Sequence, residues 1–458
     1  MPVSRTRTWI RFAATAAAFT LIAACAPGSD DDADDDAGDA GTGSGTDVET
    51  DPGNLGDVTL VVWDQEVRGG QSEQIDALNE AFEEEYPNIT IERVSRSTDD
   101  LRTTLRLALS GDDAPDVVQA NNSRTEMGQY VGNDLLTPLD DYAEAYGWFE
   151  RFPESVRALA MYSDDGEVYG EGQLYGLAQM GEIVGAFYNK SKLDELGIDP
   201  PETQEEFEAA LETAHEAGEL PIQFGNLDPF AGIHEYGFVQ NQFADAETIS
   251  NLGFGRPGST WLSPENVEAT ETIVSWVDEG YFTEGFAGLD YDEAWQQFAD
   301  GEGVFLVAGT WLVADLDEAM GGDVGFMLPP AGASGQRLVT GGISIPFSIP
   351  ANSENQDAAA AYIDFITSAD AMETITETGN LPVVDAAEQD VDGLQAEVFD
   401  AWARAGEEDL VVPYLDYATP TFFDTLTAAV QDLLGGERSP EEFLDHLESE
   451  YLEHVEDQ

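Results

Sequence analysis

Apolar residues in this chain fall into short blocks separated by acidic and turn-forming stretches. Residues 58–63 (VTLVVW) form an apolar run of strand length, and residues 89–94 alternate, so both predict strands. Between them, residues 71–86 place Ile75, Leu78, Ala81 and Phe82 on one face of a helix. Residues 101–109 predict a second helix, stopped by Gly111, and residues 115–118 open a third strand. Strand, helix, strand, helix, strand without hairpin turns predicts a parallel, doubly wound α/β sheet. In such sheets ligands sit beyond the carboxyl ends of the strands, here residues 63–66 and 119–122.

The clearest local punctuation lies between Leu174 and Leu211. Residues 183–188 (IVGAFY) are a buried strand ended by Asn189, Lys190 and Ser191. Residues 192–196 make a helical turn that Gly197 caps. Pro200 and Pro201 block further helix, and Thr203 with Glu206 forms a capping box for the next one. Further on, residues 221–242 predict strand, polar loop and helix. Residues 266–279 predict a helix with Val267, Ile273, Val274 and Val277 inside. Residues 291–316 predict helix, glycine turn, buried strand and helix start. Residues 325–330 leave as a strand and 341–350 follow as a crossing segment. Helices are expected at 357–366, 422–434 and 440–455. Trp276, Trp295 and Trp402 stand at helical spacing and predict core.

The N-terminus is of another kind. Arg5, Arg7 and Arg11 precede an apolar stretch too short to span a bilayer, so residues 1–24 predict a signal peptide. The stretch ends LIAAC, which resembles a bacterial lipobox with Cys25 as the lipidated first residue of the mature chain. Cys25 is the sole cysteine, so no disulfide is expected within the mature protein. Residues 25–56 carry Asp, Gly, Ser and Thr and almost nothing apolar, which predicts a disordered tether. The remaining four hundred or so residues exceed one core and predict two domains.

Composition changes the picture in one respect. The formal net charge is -76, and Lys190 and Lys192 are the only lysines. So acidic and lysine-poor a surface resembles those of halophilic proteins, in which salt screens the repulsion. It argues against nucleic acid and anionic ligands. It also makes carboxylate pairs uninformative, and no pair stands out as a glycosidase couple. His215, His234, His446 and His454 have no zinc-site spacing, and no nucleophile elbow or phosphate loop occurs. No cofactor or metal is therefore expected. Aromatic residues in loops are more telling, because flat rings beside amides and carboxylates suit the apolar faces and polar edges of sugars. Trp63, Phe230, Trp261, Trp311 and Tyr414 are candidates.

The stretch from Tyr175-Gly176 through the apolar strand, Tyr188-Asn189-Lys190, a short helix and Gly197-Ile198-x-Pro-Pro-x-Thr resembles the solute-binding proteins of ABC importers. The sugar-binding branch that includes maltose-binding proteins is the most similar. Residues 130–139 (YVGNDLLTPL), 291–316 and 379–382 (GNLP) match further family motifs in order. Gln204 and Ala178 depart from the family's usual Trp and Pro. The resemblance implies two α/β domains of the periplasmic-binding-protein type, joined by a multi-segment hinge. The N-terminal lobe would comprise 57–178 and 331–368, and the C-terminal lobe 179–330 and 369–458. Crossovers are expected near 177–183, 329–334 and 368–372. Carried over by position, the ligand-binding residues are Gln65, Glu66, Asn121, Asn122, Glu182, Asp228, Phe230, Trp311, Gly341, Gly342, Phe422 and Phe423. The implied protein is a lipid-anchored monomer on the outer membrane face. It would bind a mono- or oligosaccharide, present it to permease subunits, and catalyse nothing. Alternatives are a polyol, a glycerophosphodiester, a polyamine or iron on the same fold, or a secreted carbohydrate-active enzyme.

Overall fold

The computed structural model describes residues 48–457 except 112–113 and 333–334. The expected signal peptide, Cys25 and the tether up to residue 47 lie outside the described residues. Residues 48–56, expected as tether, are folded. Asp51 accepts from the Gly53 N–H at the head of the turn Pro52–Asn54, and Pro52 is buried. The Asn88 amide donates to the carbonyls of Pro52 (2.9 Å) and Gly56 (2.8 Å), tying this segment to the turn before the second strand.

The first lobe is built on β1 (Val58–Asp64), β2 (Ile89–Ser95) and β3 (Val117–Gln119). β1 runs parallel to both neighbours, with Val58 opposite Ile89 and Val62 opposite Val117. The connecting helices are Gly69–Glu85 and Thr98–Leu109. The first buries Ile75, Leu78 and Phe82, as the spacing predicts, but leaves Ala81 of the same expected face exposed, and the second buries Leu101, Leu105 and Leu109. A small antiparallel pair, β4 (Met161–Tyr162) and β5 (Gln173–Leu174), lies before the chain leaves this lobe.

The second lobe is organised on β6 (Gly181–Asn189), the strand legible at 183–188. β6 pairs antiparallel with β7 (Phe305–Gly309), β8 (Val324–Met327) and β9 (Val339–Ile343), and β11 (Val411–Val412) runs parallel to β9. The helix Lys190–Leu196 ends on Gly197 in the left-handed region, and Thr203 and Glu206 form the full capping box of helix Gln204–Ala217. Residues 221–225 form no strand of their own. Ile222 touches the sheet only as an isolated bridge to Phe305 and to Phe282.

Two segments group differently from the sequence expectation. β9 belongs to the second sheet, so the chain returns to the first only at residues 344–346, where β10 (Phe347–Ser348) joins β3 antiparallel. One glycine helps explain this. A Cβ on Gly341 would sit 2.2 Å from the Glu182 carbonyl, so bare backbone lets β9 lie close on β6, while Gly342 leaves room for the Leu159 side chain, 2.8 Å from where its Cβ would be. Helix Ala369–Glu377 buries Ala371, Met372 and Ile375 and packs, like helix Gln356–Ile366, against helix Gly69–Glu85. Among the described residues, no helix is long and apolar enough to cross a membrane.

Candidate functional site

A cavity lies between the two sheets, and the strand ends supply its walls. Beyond β1, Gln65 lines it. The Gln65 N–H donates to Gln119 Oε1 (2.8 Å) and its Oε1 accepts from the Thr98 hydroxyl (2.6 Å), which fixes the side chain. Beyond β3 come Asn121 and Asn122. Asn121 Oδ1 accepts from the Ser123 N–H (2.9 Å). Asn122 is fully engaged: its amide donates to the Leu159 carbonyl and the Tyr169 hydroxyl, and its oxygen accepts from the Tyr417 hydroxyl (2.9 Å).

The second lobe contributes Glu182 from β6, Asp228 and Phe230 from the loop and start of helix Phe230–Gln240, and Trp311 from the turn Thr310–Leu312 after β7. Phe230, His234 and Trp311 form a continuous aromatic wall, with ring centroids 5.6 Å apart for the first pair and 5.3 Å for the second. The Trp311 indole N–H donates to the Tyr291 hydroxyl (2.8 Å), and the Tyr291 N–H donates to Asp228 (3.0 Å). The indole is thereby oriented from behind. Phe423 lines the cavity, with the Arg102 guanidinium 4.7 Å from its ring centroid.

Eight of the twelve expected ligand residues line this one cavity. Four do not. Glu66 is buried behind Gln65, accepting from the Gln119 amide (2.7 Å). Gly341 and Gly342 serve the β6–β9 contact instead. Phe422 is fully buried and stacks on Trp261, itself a core residue. Consecutive positions on a helix point about 100° apart, so only one of Phe422 and Phe423 can face the cavity.

The cavity also takes residues that sequence reasoning passed over, Arg68, Arg102, Glu126, Asp416 and Tyr417, together with His234, whose loop suggested a cleft but whose expected place was the surface, and the aromatic candidate Tyr414. Cations were the signal available, since arginines are scarce against this acidic background. Burial raises Glu182 to about 8, with Glu66 adding to the effect, and raises Glu126 and Asp416 to about 7. Burial lowers His234 to about 4, so its ring is neutral.

Arginines also join the lobes. Arg68 pairs with Asp292 (3.0 Å), and its neighbour Gly69 donates its N–H to Asp315 (3.1 Å). Arg102 reaches Asp424 (3.7 Å), and Arg124 donates to the Phe254 carbonyl (2.9 Å). A Cβ on Gly70 would come within 2.3 Å of the Ala314 Cβ, so the lobes are in close contact.

Two α/β lobes drawn together over a cavity of strand-end amides and aromatic rings define a binding protein of the periplasmic type. Residues 68–373 match the bacterial extracellular solute-binding proteins, and the chain belongs to that family. It is 22 % identical over 307 residues to the multiple sugar-binding protein of Streptococcus mutans, covering 66 % of this chain and 70 % of that one. The solved structure of a chitin oligosaccharide binding protein superposes with TM-score 0.76 at 21 % identity, over 87 % of this chain and 99 % of the other. A solute-binding protein in complex with raffinose gives TM-score 0.67 at 19 % identity, over 87 % and 99 %.

Proposed function

We propose that this chain captures a carbohydrate between its lobes and hands it unchanged to the membrane subunits of an ABC importer. The observation that carries this is the aromatic wall of Phe230, His234 and Trp311 in the same cavity as Gln65, Asn121 and Glu182. Flat rings match the C–H faces of a pyranose, and amides and carboxyls match its hydroxyl edge. The ligands named for the relatives support the same class.

In this proposal Gln65, Asn121, Glu182, Asp228, Phe230, Trp311 and Phe423 touch the ligand. Asn122 and Glu66 hold neighbouring groups in place, Phe422 is a core anchor, and Gly341 and Gly342 set β9. The first lobe takes residues 48–178 and 344–377, the second 179–343 and 379–457, and the lobes close by hinge motion at the crossings. The protein works as a monomer, held to the outer membrane face by lipidated Cys25 through its acidic tether.

A thermal-shift screen of mono- and oligosaccharides at high salt tests the ligand class, because a ligand that binds only the folded state raises the melting temperature. Sugars should raise it. A shift with a polyol, glycerophosphodiester or polyamine alone would change the ligand class. Appearance of product on prolonged incubation would make the chain a carbohydrate-active enzyme.

A further inference from the structure

Five carboxylates line the cavity, Asp99, Glu126, Glu182, Asp228 and Asp416, against two guanidinium groups, Arg68 and Arg102. Both cations are already engaged. Arg68 pairs with Asp292, and Arg102 with Asp99 (3.0 Å) and Asp424. Asp228 accepts from the Tyr291 N–H. Three carboxyls, Glu126, Glu182 and Asp416, then have no ion-pair partner among the described residues. Glu126 accepts only a long bond from the Tyr130 hydroxyl (3.4 Å). Asp416 accepts only from its own backbone N–H, and Glu182 has no hydrogen-bond or ion-pair partner among the described residues. A fourth polar group stands with them: Tyr414, 9 % exposed, lines the cavity with a hydroxyl that bonds to nothing.

Carboxyls held away from water are costly when ionised and unpaired. Either each keeps a proton, or the ligand brings the opposite charge. A metal ion fits poorly, since among the described residues no three His, Cys, Asp or Glu side chains are grouped to hold one. The aromatic wall beside them suits an organic ring. We propose that the solute is an amino-substituted sugar, whose protonated nitrogen is neutralised by Glu182 and Asp416 beside the Tyr414 hydroxyl. This rests on the carbohydrate function above and narrows it.

The surroundings decide the pH behaviour. Glu182 is acted on by Glu66 and Arg68, and it in turn acts on Tyr414 and Tyr291. Asp416 acts on Glu126, Tyr169, Tyr414 and Tyr417, and Glu126 is acted on by Arg102 and Asp99. His234 stays neutral. With these neighbours Glu182 is held mostly protonated at neutral pH, and Glu126 and Asp416 about half so. An ammonium ligand needs them ionised, so it binds with release of protons, and its affinity rises with pH up to the point where the amine itself loses its proton. A neutral sugar held by protonated carboxyls behaves oppositely, weakening as pH rises through about 7 to 8.

The test is calorimetric titration of the purified chain with glucosamine and the glucosamine disaccharide. Glucose, cellobiose and the N-acetylated forms serve as neutral comparators, and spermidine as a cation without a ring. The amino sugars should bind at least about tenfold tighter than their neutral counterparts at about pH 7. Their affinity should rise several-fold from about pH 5.5 to about pH 7, by at most about tenfold per pH unit for each proton released. Heats measured in buffers of different ionisation enthalpy should report that release. Glu182→Gln should erase the preference, and Asp416→Asn provides the same readout if the first variant misfolds. Neutral sugars binding as tightly as amino sugars, or an amino-sugar affinity that falls over this pH range, would overturn the inference while leaving the carbohydrate function standing. Spermidine binding with none of the sugars would overturn both.

Discussion

Trp311 offers the sharpest test of the site. It is half-buried, stands 5.3 Å from His234, and is held by its bond to Tyr291. Trp311→Ala removes the ring face offered to the ligand and the N–H that satisfies the Tyr291 hydroxyl. A stacked face of some tens of Å², at about 25 cal/mol per Å², is worth on the order of 1–3 kcal/mol of binding. That corresponds to roughly a tenfold to hundredfold loss of affinity. The orphaned Tyr291 hydroxyl, on a residue 4 % exposed, adds a stability cost of about 1–3 kcal/mol. Trp311→Phe separates the two effects: it keeps a platform but not the bond, so it should lose stability while retaining most affinity. Titration calorimetry beside a urea melt reads both quantities for each variant. If Trp311→Ala loses stability but binds sugar as before in the fraction that remains folded, the wall is packing alone, and the carbohydrate function loses its main support.

Arg68→Gln removes the Arg68–Asp292 bridge between the lobes. Asp292 is 45 % exposed, so solvent screening limits the pair to about 1 kcal/mol or less, and affinity should fall by no more than about fivefold; a loss of a hundredfold would mean that Arg68 touches the ligand itself. The folded state should need salt: the screening length falls from about 30 Å at 0.01 M to about 3 Å at 1 M. Melting followed by circular dichroism should therefore move upward across that range, and a flat response would refute the view that surface repulsion dominates. Cys25→Ser should move the protein from the membrane fraction to the medium with unchanged ligand affinity, and a variant that still sediments with membranes would end the lipobox assignment.

Much of the frame was legible because local rules wrote it. The apolar run at 183–188 could only be a buried strand, Gly197 and the Thr203–Glu206 box set their helix ends, and Trp311 followed from its place after β7. The acidic part of the site was harder. Glu126, Asp416 and Tyr417 come together from distant segments, and in a chain so rich in acids a single carboxylate carries no local signal. Phe422 and Phe423 could not be told apart without the helix phase. Gly341 and Gly342 were read as room for a ligand, whereas β6 lies against the first and the Leu159 side chain against the second. β9 was assigned across the crossing for the same reason: its residues look alike whichever sheet they join.

The edge strand β10 has a consequence for how the molecule comes into being. Its Phe347 pairs with Gln119, and helix Gln356–Ile366 covers β1, so the first lobe is closed by residues more than two hundred positions downstream of those they complete. The lobe nearest the N-terminus therefore cannot finish folding until residues 347–366 have been made. It must wait until the whole β6–β9 sheet has emerged. Such long-range closure slows folding. A chain cut short before residue 347 would lack not one half of the protein but the edge of each.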